Sequence, residues 1–190
     1  MPGYRFKRLV DILGASLLLV AAAPVMLAVA VAVRATSRGP VVFRQRRLGR
    51  GERTFTILKF RSMRIDAPHT GPRFTAAGDA RITRVGRLIR KTSLDELPQL
   101  VNVLRGEMSL IGPRPYVGFE LDRCPAEDRA RRASVRPGLS GLAQVSGRSG
   151  LSPEEALRRD LQYVHECSLW LDLKLMLKTA TTILRRGTAN

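Results

Sequence analysis

The chain has 190 residues, enough for one domain, and its 33 Lys and Arg residues against 16 Asp and Glu residues leave a net charge of +17. This excess predicts anionic partners such as acidic lipids or phosphorylated substrates, while an aromatic content of only 5% disfavours a nucleic-acid binder that stacks on bases. Two cysteines and two widely separated histidines argue against a zinc site and predict two reduced thiols.

An uncharged apolar segment covers residues 12–33. As a helix it would be roughly 33 Å long, which is enough to cross a bilayer. Pro24 lies in its middle and favours a kink, so each half would reach only roughly 15–18 Å, about one leaflet. Cations flank both ends of the segment: Arg5, Lys7, Arg8, Arg34 and Arg38.

A helix that enters and leaves the bilayer through one face would keep both basic flanks on the cytoplasmic side, as the positive-inside rule favours. We therefore predict a re-entrant membrane anchor over residues 1–38 and a cytoplasmic domain over residues 39–190. A kinked helix that spans the bilayer is the main alternative. A cleaved signal peptide is a lesser one, because the apolar stretch is longer than a usual signal core.

Two short runs of β-prone residues, 41–43 and Thr54–Phe60, flank a basic stretch that contains glycines and predict a β-hairpin with a longer loop. Residues 66–78 contain two prolines and two glycines and predict an exposed loop. Apolar residues then recur at helical spacing over residues 82–89, with a row of arginines on another side of the same helix.

The carboxylate pair Asp95 and Glu96 follows that basic helix directly. A structural interpretation is a capping box between Ser93 and Glu96. Pro98 disfavours it, because Pro98 would then be the fifth helical residue. A helix that begins near Pro98 leaves both acids at its start. Adjacent carboxylates among cations suit phosphate chemistry, in which an Asp serves as nucleophile and Mg²⁺ takes carboxylate oxygens.

Two further groups of cations are candidate phosphate contacts. Lys59 and Arg61 lie at the end of the second β-prone run, where the alternative is a charge on the membrane surface. Arg114 lies between two prolines, and the stiff backbone reduces the entropy lost when its guanidinium binds a phosphate. The alternative for Arg114 is an ordinary turn with the side chain in solvent.

The C-terminal third begins with a helix-start signal. Ser152 as N-cap, Pro153 at the first position and Glu155 in a capping box predict a helix to about Tyr163. Leucines alternate with other residues over residues 169–177, and this period alone predicts a strand. The pattern continues to residue 186, which is long enough for a helix. The residue pattern therefore leaves both a strand and a helix open.

Taken together, these motifs resemble the bacterial sugar transferase family, the small monotopic phosphoglycosyl transferases. The core of the resemblance is residues 84–115, RVGRLIRKTSLDELPQLVNVLRGEMSLIGPRP, and the match extends over nearly the whole chain. The other matching positions are Phe43, Gln45, Gly49, Gly51, the segment 59–63, Arg136-Pro137-Gly138, Gly147-Arg148, Asp160, Tyr163 and Leu171-Asp172. Leu142 and Ser146 depart from the residues that family members commonly have there, which leaves sugar specificity open.

The resemblance implies an α+β, mainly α-helical fold. It implies a monotopic membrane protein with a re-entrant N-terminal helix broken at Pro24, a small β-hairpin and surface-lying amphipathic helices. It also favours a helix over residues 169–184. The location implied is the cytoplasmic face of the bacterial inner membrane. The expected partners include anionic lipids of that membrane and do not include nucleic acid. A monomer and a homodimer are both compatible with the sequence.

The resemblance further implies the reaction. Asp95 would attack the sugar-bearing phosphate of a UDP-sugar and release UMP, and polyprenyl phosphate would then take the phospho-sugar from Asp95. Glu96 would assist Mg²⁺ binding or proton handling. The implied substrate-binding residues are Lys59, Arg61, Arg87, Arg90, Arg114, Arg136 and Arg148. One competing hypothesis is a basic peripheral protein that binds nucleic acid or acidic lipid and catalyses no reaction. A second is a scaffold of the same fold without activity.

Overall fold

The computed structural model describes residues 3–66, 79–121, 124–147 and 150–188. The helices are α1 (Lys7–Thr36), α2 (Arg84–Lys91), α3 (Gln99–Arg105), α4 (Gly118–Leu121), α5 (Ala126–Arg132), α6 (Leu142–Val145), α7 (Pro153–Glu166) and α8 (Leu169–Thr188). The strands are β1 (Val42–Leu48), β2 (Thr54–Phe60), β3 (Ser109–Ile111) and β4 (Gly138–Ser140). The described part of the chain is thus mainly helical with little strand, as expected. The loop predicted over residues 66–78 lies outside the described residues except for Asp66.

Helix α1 continues through Pro24 as one helix of 30 residues, so the structure does not confirm the predicted break at Pro24. Near its N-terminal end Ala15 is buried in the main hydrophobic core, and near its C-terminal end Val29 and Val33 are buried in a second cluster. Both halves therefore pack against the rest of the protein. Among the described residues, α1 is the one helix that is long and apolar enough to cross a membrane. Its exposed large apolar residues are Leu9, Ile12, Leu13, Leu17, Leu18, Val20, Val25, Leu27 and Val31.

Strands β1 and β2 form the predicted antiparallel hairpin, with Val42 opposite Phe60 and Leu48 opposite Thr54. The first strand is longer than the β-prone run at residues 41–43. Ladder hydrogen bonds join backbone groups, so the polar residues that follow can continue the pairing. Phe55 in β2 is buried in the main core and holds the hairpin against the helices.

The segment from α2 to α3 turns sharply before α3 begins. Thr83 caps α2 by accepting a hydrogen bond from the Gly86 backbone, and α3 starts at Gln99 directly after Pro98. This start confirms the helix boundary that Pro98 predicted. The capping-box alternative is wrong, because Ser93 adopts a left-handed conformation and its side chain makes no capping hydrogen bond.

The C-terminal helices follow the sequence signals closely. Helix α7 begins with the predicted capping box between Ser152 and Glu155. The next segment is the long helix α8, so the strand alternative for the alternating leucines is wrong. The leucine pattern misleads because Leu175 is buried on one face of α8, whereas Leu173 and Leu177 are exposed.

A buried acid joins the two ends of the described fold. Asp172 of α8 accepts hydrogen bonds from Lys7 at 2.6 Å and from the Tyr4 hydroxyl at 3.0 Å, and the Tyr163 hydroxyl lies 2.8 Å from its other oxygen. Burial and the adjacent Asp172 raise the pKa of Tyr163, so this hydroxyl stays protonated. Asp11 joins α1 to β3, because it accepts hydrogen bonds from the Ser109 side chain and from the Leu110 backbone amide.

Candidate active site

The two adjacent carboxylates lie on a single turn of 3₁₀-helix, Leu94–Glu96, between α2 and α3. Ser93 precedes this turn with φ +59°, a left-handed conformation that ends α2. Asp95 is 9% exposed and the Glu96 side chain is 18% exposed. The acids are thus largely removed from water, although Glu96 lines an open cleft.

Strand β2 brings Lys59 to this turn. The Lys59 ammonium donates a hydrogen bond of 2.8 Å to Glu96 Oε1, and both side chains are less than a fifth exposed. A pair this sheltered from solvent is screened less by salt than a surface ion pair. Lys59 therefore fixes the orientation of Glu96 and offsets its charge.

A cleft opens at this ion pair and unites residues from distant parts of the chain. It is lined by Arg47, Ile57, Lys59, Glu96, Gln99, Arg114, Pro115, Gly138, Leu139 and Gln144. Three predicted site residues, Lys59, Glu96 and Arg114, meet here. Arg47, Gln99 and Gln144 are cleft residues that the sequence analysis did not identify.

Arg47 contributes a buried positive charge to the cleft. Burial, followed by repulsion from Arg114, lowers the pKa of Arg47 to about 10. It stays protonated near neutral pH. The Arg47 and Arg114 guanidinium groups repel each other, and a bound anion would relieve the repulsion. Only the hairpin register could have revealed Arg47, because it places Arg47 and Lys59 on the same face of the strand pair.

The turn that carries Arg114 is held by its backbone. Arg132 donates to the Arg114 carbonyl, and Arg47 donates to the Pro115 carbonyl at 3.1 Å. Arg132 is itself fixed by Asp160 at 2.8 Å and by the Tyr116 ring, whose centroid lies 3.5 Å from the guanidinium carbon. These contacts position the Arg114 backbone while its side chain is left exposed at the cleft.

Two predicted substrate contacts, Arg87 and Arg90, lie on α2. Arg87 is exposed and Arg90 is half-buried, and neither lines the cleft. They precede the Leu94–Glu96 turn, and the Arg90 carbonyl accepts a hydrogen bond from the Ser93 backbone at 3.3 Å. Their role in substrate binding stays a prediction.

Arg61 lies at the C-terminal end of α1 rather than in the cleft. It is 7% exposed, and one of its terminal nitrogens donates to the Ser37 carbonyl at 2.7 Å and to the Ser37 hydroxyl at 2.8 Å. Its other two nitrogens are buried without a hydrogen-bond partner. Burial and the nearby Arg34 lower the pKa of Arg61. Arg61 therefore anchors α1, and its predicted contact with substrate stays a prediction.

Arg136 supports the end of α3. It donates to the Gly106 carbonyl at 2.8 Å, and burial together with Arg8 and Arg50 lowers its pKa. It does not line the cleft. Arg148 lies outside the described residues. The predicted substrate contacts of both arginines stay untested predictions.

The donor set fits a magnesium ion in one respect. Asp95 and Glu96 supply adjacent hard carboxylate oxygens, and Mg²⁺ is commonly bound by one or two carboxylates together with substrate phosphates. In the part of the chain that the structure describes, no group of three or more His, Cys, Asp or Glu side chains could hold a metal. The dyad therefore suits a metal that arrives with a phosphorylated substrate better than a permanently held metal.

The profile of the bacterial sugar transferase family matches residues 3–186. The chain belongs to the bacterial sugar transferase family. This membership confirms the resemblance and makes the chain a relative of transferases.

Several curated relatives carry specific names. The chain is 45% identical, over 96% of its length, to the UDP-glucose:undecaprenyl-phosphate glucose-1-phosphate transferase of Caulobacter vibrioides. It is 45% identical, again over 96% of its length, to the UDP-N-acetylgalactosamine-undecaprenyl-phosphate N-acetylgalactosaminephosphotransferase of Aeromonas hydrophila. A glucose-1-phosphate transferase of Escherichia coli is 40% identical over 91% of the chain. The chain covers 71% of the first relative but only 45% and 39% of the others.

Proposed function

We propose that this protein transfers a sugar-1-phosphate from a UDP-sugar to polyprenyl phosphate, as the first membrane step of bacterial glycoconjugate or polysaccharide synthesis. The observation that carries the proposal is the cleft in which Glu96, next to Asp95 in the chain, meets Lys59, Arg47 and Arg114. The names of the relatives support both substrates, because they specify UDP-sugars and undecaprenyl phosphate.

In the first step, an Asp95 oxygen attacks the phosphorus that carries the sugar. The bond from that phosphorus to the bridging oxygen breaks, and UMP leaves with the electron pair. The sugar-1-phosphate is then held on Asp95 as an acyl phosphate ester. An Asp carboxylate suits this role because it is ionised at neutral pH and forms a reactive mixed anhydride.

In the second step, an oxygen of polyprenyl phosphate attacks the same phosphorus. The bond to Asp95 breaks, the carboxylate is restored, and a polyprenyl diphosphate sugar leaves. Splitting the transfer into two steps lets the water-soluble and the lipid substrate use one nucleophile in turn.

Cations of the cleft stabilise the charge of both steps. Arg47 and Arg114 face the cleft with two positive charges, which suits the diphosphate of the donor. Lys59 holds the side chain of Glu96, the residue that follows Asp95 in the chain, in a fixed orientation. We propose that Asp95 and Glu96 also hold Mg²⁺, which when bound would neutralise phosphate oxygens and polarise the phosphorus.

The packing of α1 supports a re-entrant anchor on the cytoplasmic face of the inner membrane. A straight helix of 30 residues would be roughly 45 Å long, more than the thickness of the hydrocarbon core. Yet Asp11 near one end binds β3, and Ser37 just after the other end binds Arg61. Because both ends are tied to the same globular part, a topology that places them on opposite sides of a bilayer would draw that part into the membrane.

Helix α8 adds a second apolar surface. Trp170 is 77% exposed and Leu177 is 71% exposed, and with Leu173 they recur at intervals of three and four residues on one stripe. Lys174 and Lys178 lie beside this stripe. Such a helix suits the interface of an anionic leaflet, where apolar residues insert and lysines bind lipid phosphates.

A trapping experiment tests the two-step reaction. Purified protein in nanodiscs with Mg²⁺ is mixed with a UDP-sugar labelled with ³²P on the sugar-bearing phosphate, without polyprenyl phosphate. We expect up to one UMP per protein and one label on the protein, which polyprenyl phosphate then removes. Asp128→Asn, which changes an acid on α5, serves as the matched control for Asp95→Asn. UMP release that requires acceptor, with no label on the wild-type protein, would contradict the covalent step.

Sidedness of the anchor is tested separately. Single cysteines replace Arg5 and Arg38 in a variant without Cys124 and Cys167, and intact spheroplasts are treated with an impermeant maleimide. A re-entrant anchor leaves both positions protected until the cells are lysed. Labelling of one position in intact spheroplasts would show that α1 spans the bilayer.

A further inference from the structure

Two glutamine side chains in the cleft have buried amide atoms without partners. Gln99 Nε2 and Gln144 Oε1 are buried and make no hydrogen bond within the protein. Gln99 is 3% exposed, so its amide is almost completely removed from water. Both side chains line the cleft that contains Lys59, Glu96 and Arg114.

This arrangement has a cost for folding. A buried donor or acceptor without a partner loses its bonds to water and gains none in return. Other buried unpartnered atoms in the described residues belong to Asp11, Arg61 and Asp160, none of which lines this cleft. An apolar side chain of the same shape would avoid the cost at position 99. A ligand that binds in the cleft and completes the hydrogen bond would also remove it.

The two amide atoms are complementary in chemistry. Gln99 offers a donor and Gln144 offers an acceptor, and neither carries a charge. The cations of the cleft already match the phosphates of the donor, so neutral groups are suited to its uncharged parts.

We propose that Gln99 and Gln144 bind an uncharged polar edge of the UDP-sugar, with Gln99 donating and Gln144 accepting a hydrogen bond. The inference rests on the function proposed above. Two parts of the substrate offer a donor beside an acceptor. One is the imide edge of uracil, where N3–H lies beside a carbonyl oxygen, and the other is the set of sugar hydroxyls.

The test uses Gln99→Met and Gln144→Met, which keep the volume of the side chain and remove the amide. Each variant is expected to weaken binding of the UDP-sugar about 3- to 10-fold, the effect of one neutral hydrogen bond. Because neither amide atom has a partner in the protein, the melting temperature of each variant should equal or exceed that of the wild type. A structural role would produce the opposite result, a lower melting temperature with unchanged binding.

Binding is measured by calorimetry with UMP and with the UDP-sugar that gives turnover. Equal weakening for both ligands supports the proposal and places the contact at uracil. Weakening for the UDP-sugar alone supports it and places the contact at the sugar. Gln162→Met on α7 is the matched control, because the Gln162 amide bonds to Arg159 and Glu166 outside the cleft. Unchanged affinity of both cleft variants for both ligands would overturn the proposal.

Failure of the broader proposal would look different. If the wild-type protein bound neither UMP nor any UDP-sugar, the proposed function itself would be wrong, and the variants would not be needed to show it. If the wild type bound both ligands and turned over, unchanged variants would reject only the role of the two glutamines.

Discussion

Two acidic sites of this protein differ in what surrounds them. Asp172 is 2% exposed, and its carboxylate accepts hydrogen bonds from three donors, Tyr4 and Lys7 near the start of α1 and Tyr163 on α7. Glu96 binds Lys59 as well, yet it lines an open cleft whose other walls carry two arginines.

The comparison shows that burial of an acid does not by itself indicate catalysis. The Asp172 carboxylate is enclosed by hydrogen-bond donors of the protein. These bonds stabilise the packing of α1 and α7 against α8. Glu96 lines a cleft with Lys59, Arg47 and Arg114, and we therefore propose that a ligand bound there is an anion. Both sites contain a Lys–carboxylate pair. They differ because Glu96 lines a cleft, whereas Asp172 is enclosed by the protein.

The largest expected effect is a loss of activity on changing Asp95, which precedes the cleft residue Glu96 in the chain. Asp95→Asn removes the proposed nucleophile, and we expect UMP release to fall by about 10³-fold or more. The variant should still fold, because the amide has nearly the shape of the carboxylate. A radioactive transfer assay and a thermal melt of the same preparation check both parts. Retention of more than a tenth of the wild-type rate would remove Asp95 from its proposed role.

The second effect is a loss of stability with retained activity, and it is expected on changing Asp172. Asp172→Asn leaves the Lys7 ammonium without its counter-charge, and loss of one partner of a buried ion pair costs about 3–5 kcal/mol. We expect a large fall in the unfolding free energy in detergent denaturation, while the fraction that remains folded keeps normal turnover per active site. A variant that is fully stable but inactive would show that Asp172 belongs to the catalytic machinery.

A third, intermediate effect is expected at Lys59. Lys59→Met keeps the length of the side chain but removes the partner that orients Glu96. We expect kcat/KM to fall about 10- to 100-fold, the range for loss of one charged hydrogen bond. Lys91→Met, which changes an exposed lysine on α2, serves as the control. Equal losses for the two variants would mean that only net charge matters.

The smallest effect is a change in the stability of the folded protein at low pH, and it is expected at Asp79, outside both sites. Hydrogen bonds from Arg81 lower the pKa of Asp79 to about 2, below its ordinary value of 3.8. A lowered pKa in the folded state contributes stability above the unfolded pKa, and this contribution is lost as pH falls from about 4 to about 2. The difference in melting temperature between wild type and Asp79→Asn should therefore shrink over that range. A difference that grew on acidification would reverse the assigned sign.

Local signals allowed much of the fold to be predicted from sequence. Ser152 and Glu155 determine the start of α7 through contacts three residues apart, and Pro98 determines where α3 begins. The alternation at residues 169–177 was ambiguous, since leucines at every second position occur in a strand and also place some leucines on each face of a helix. The burial of Leu175 by other elements decides for the helix.

The candidate site was less accessible to sequence analysis. Asp95, Glu96, Lys59 and Arg114 were predicted because their motifs combine unusual residue types at short range. Arg47, Gln99 and Gln144 were not, because a strand arginine and two neutral amides carry no local signal of function. Their tertiary placement around one cleft distinguishes them, and for Arg47 the register of the hairpin is a further signal. Arg61 and Arg136 are the reverse case. Arg61 donates to the carbonyl and hydroxyl of Ser37 after α1, and Arg136 donates to the Gly106 carbonyl after α3.

The bond between Lys7 and Asp172 joins residues 165 positions apart. Helix α1 precedes α8 along the chain, so a growing chain that has not yet reached α8 holds the Lys7 ammonium without its partner. Contacts between residues this far apart form late and slow folding. The bond therefore makes the final packing of α1 depend on a segment that is translated well after it.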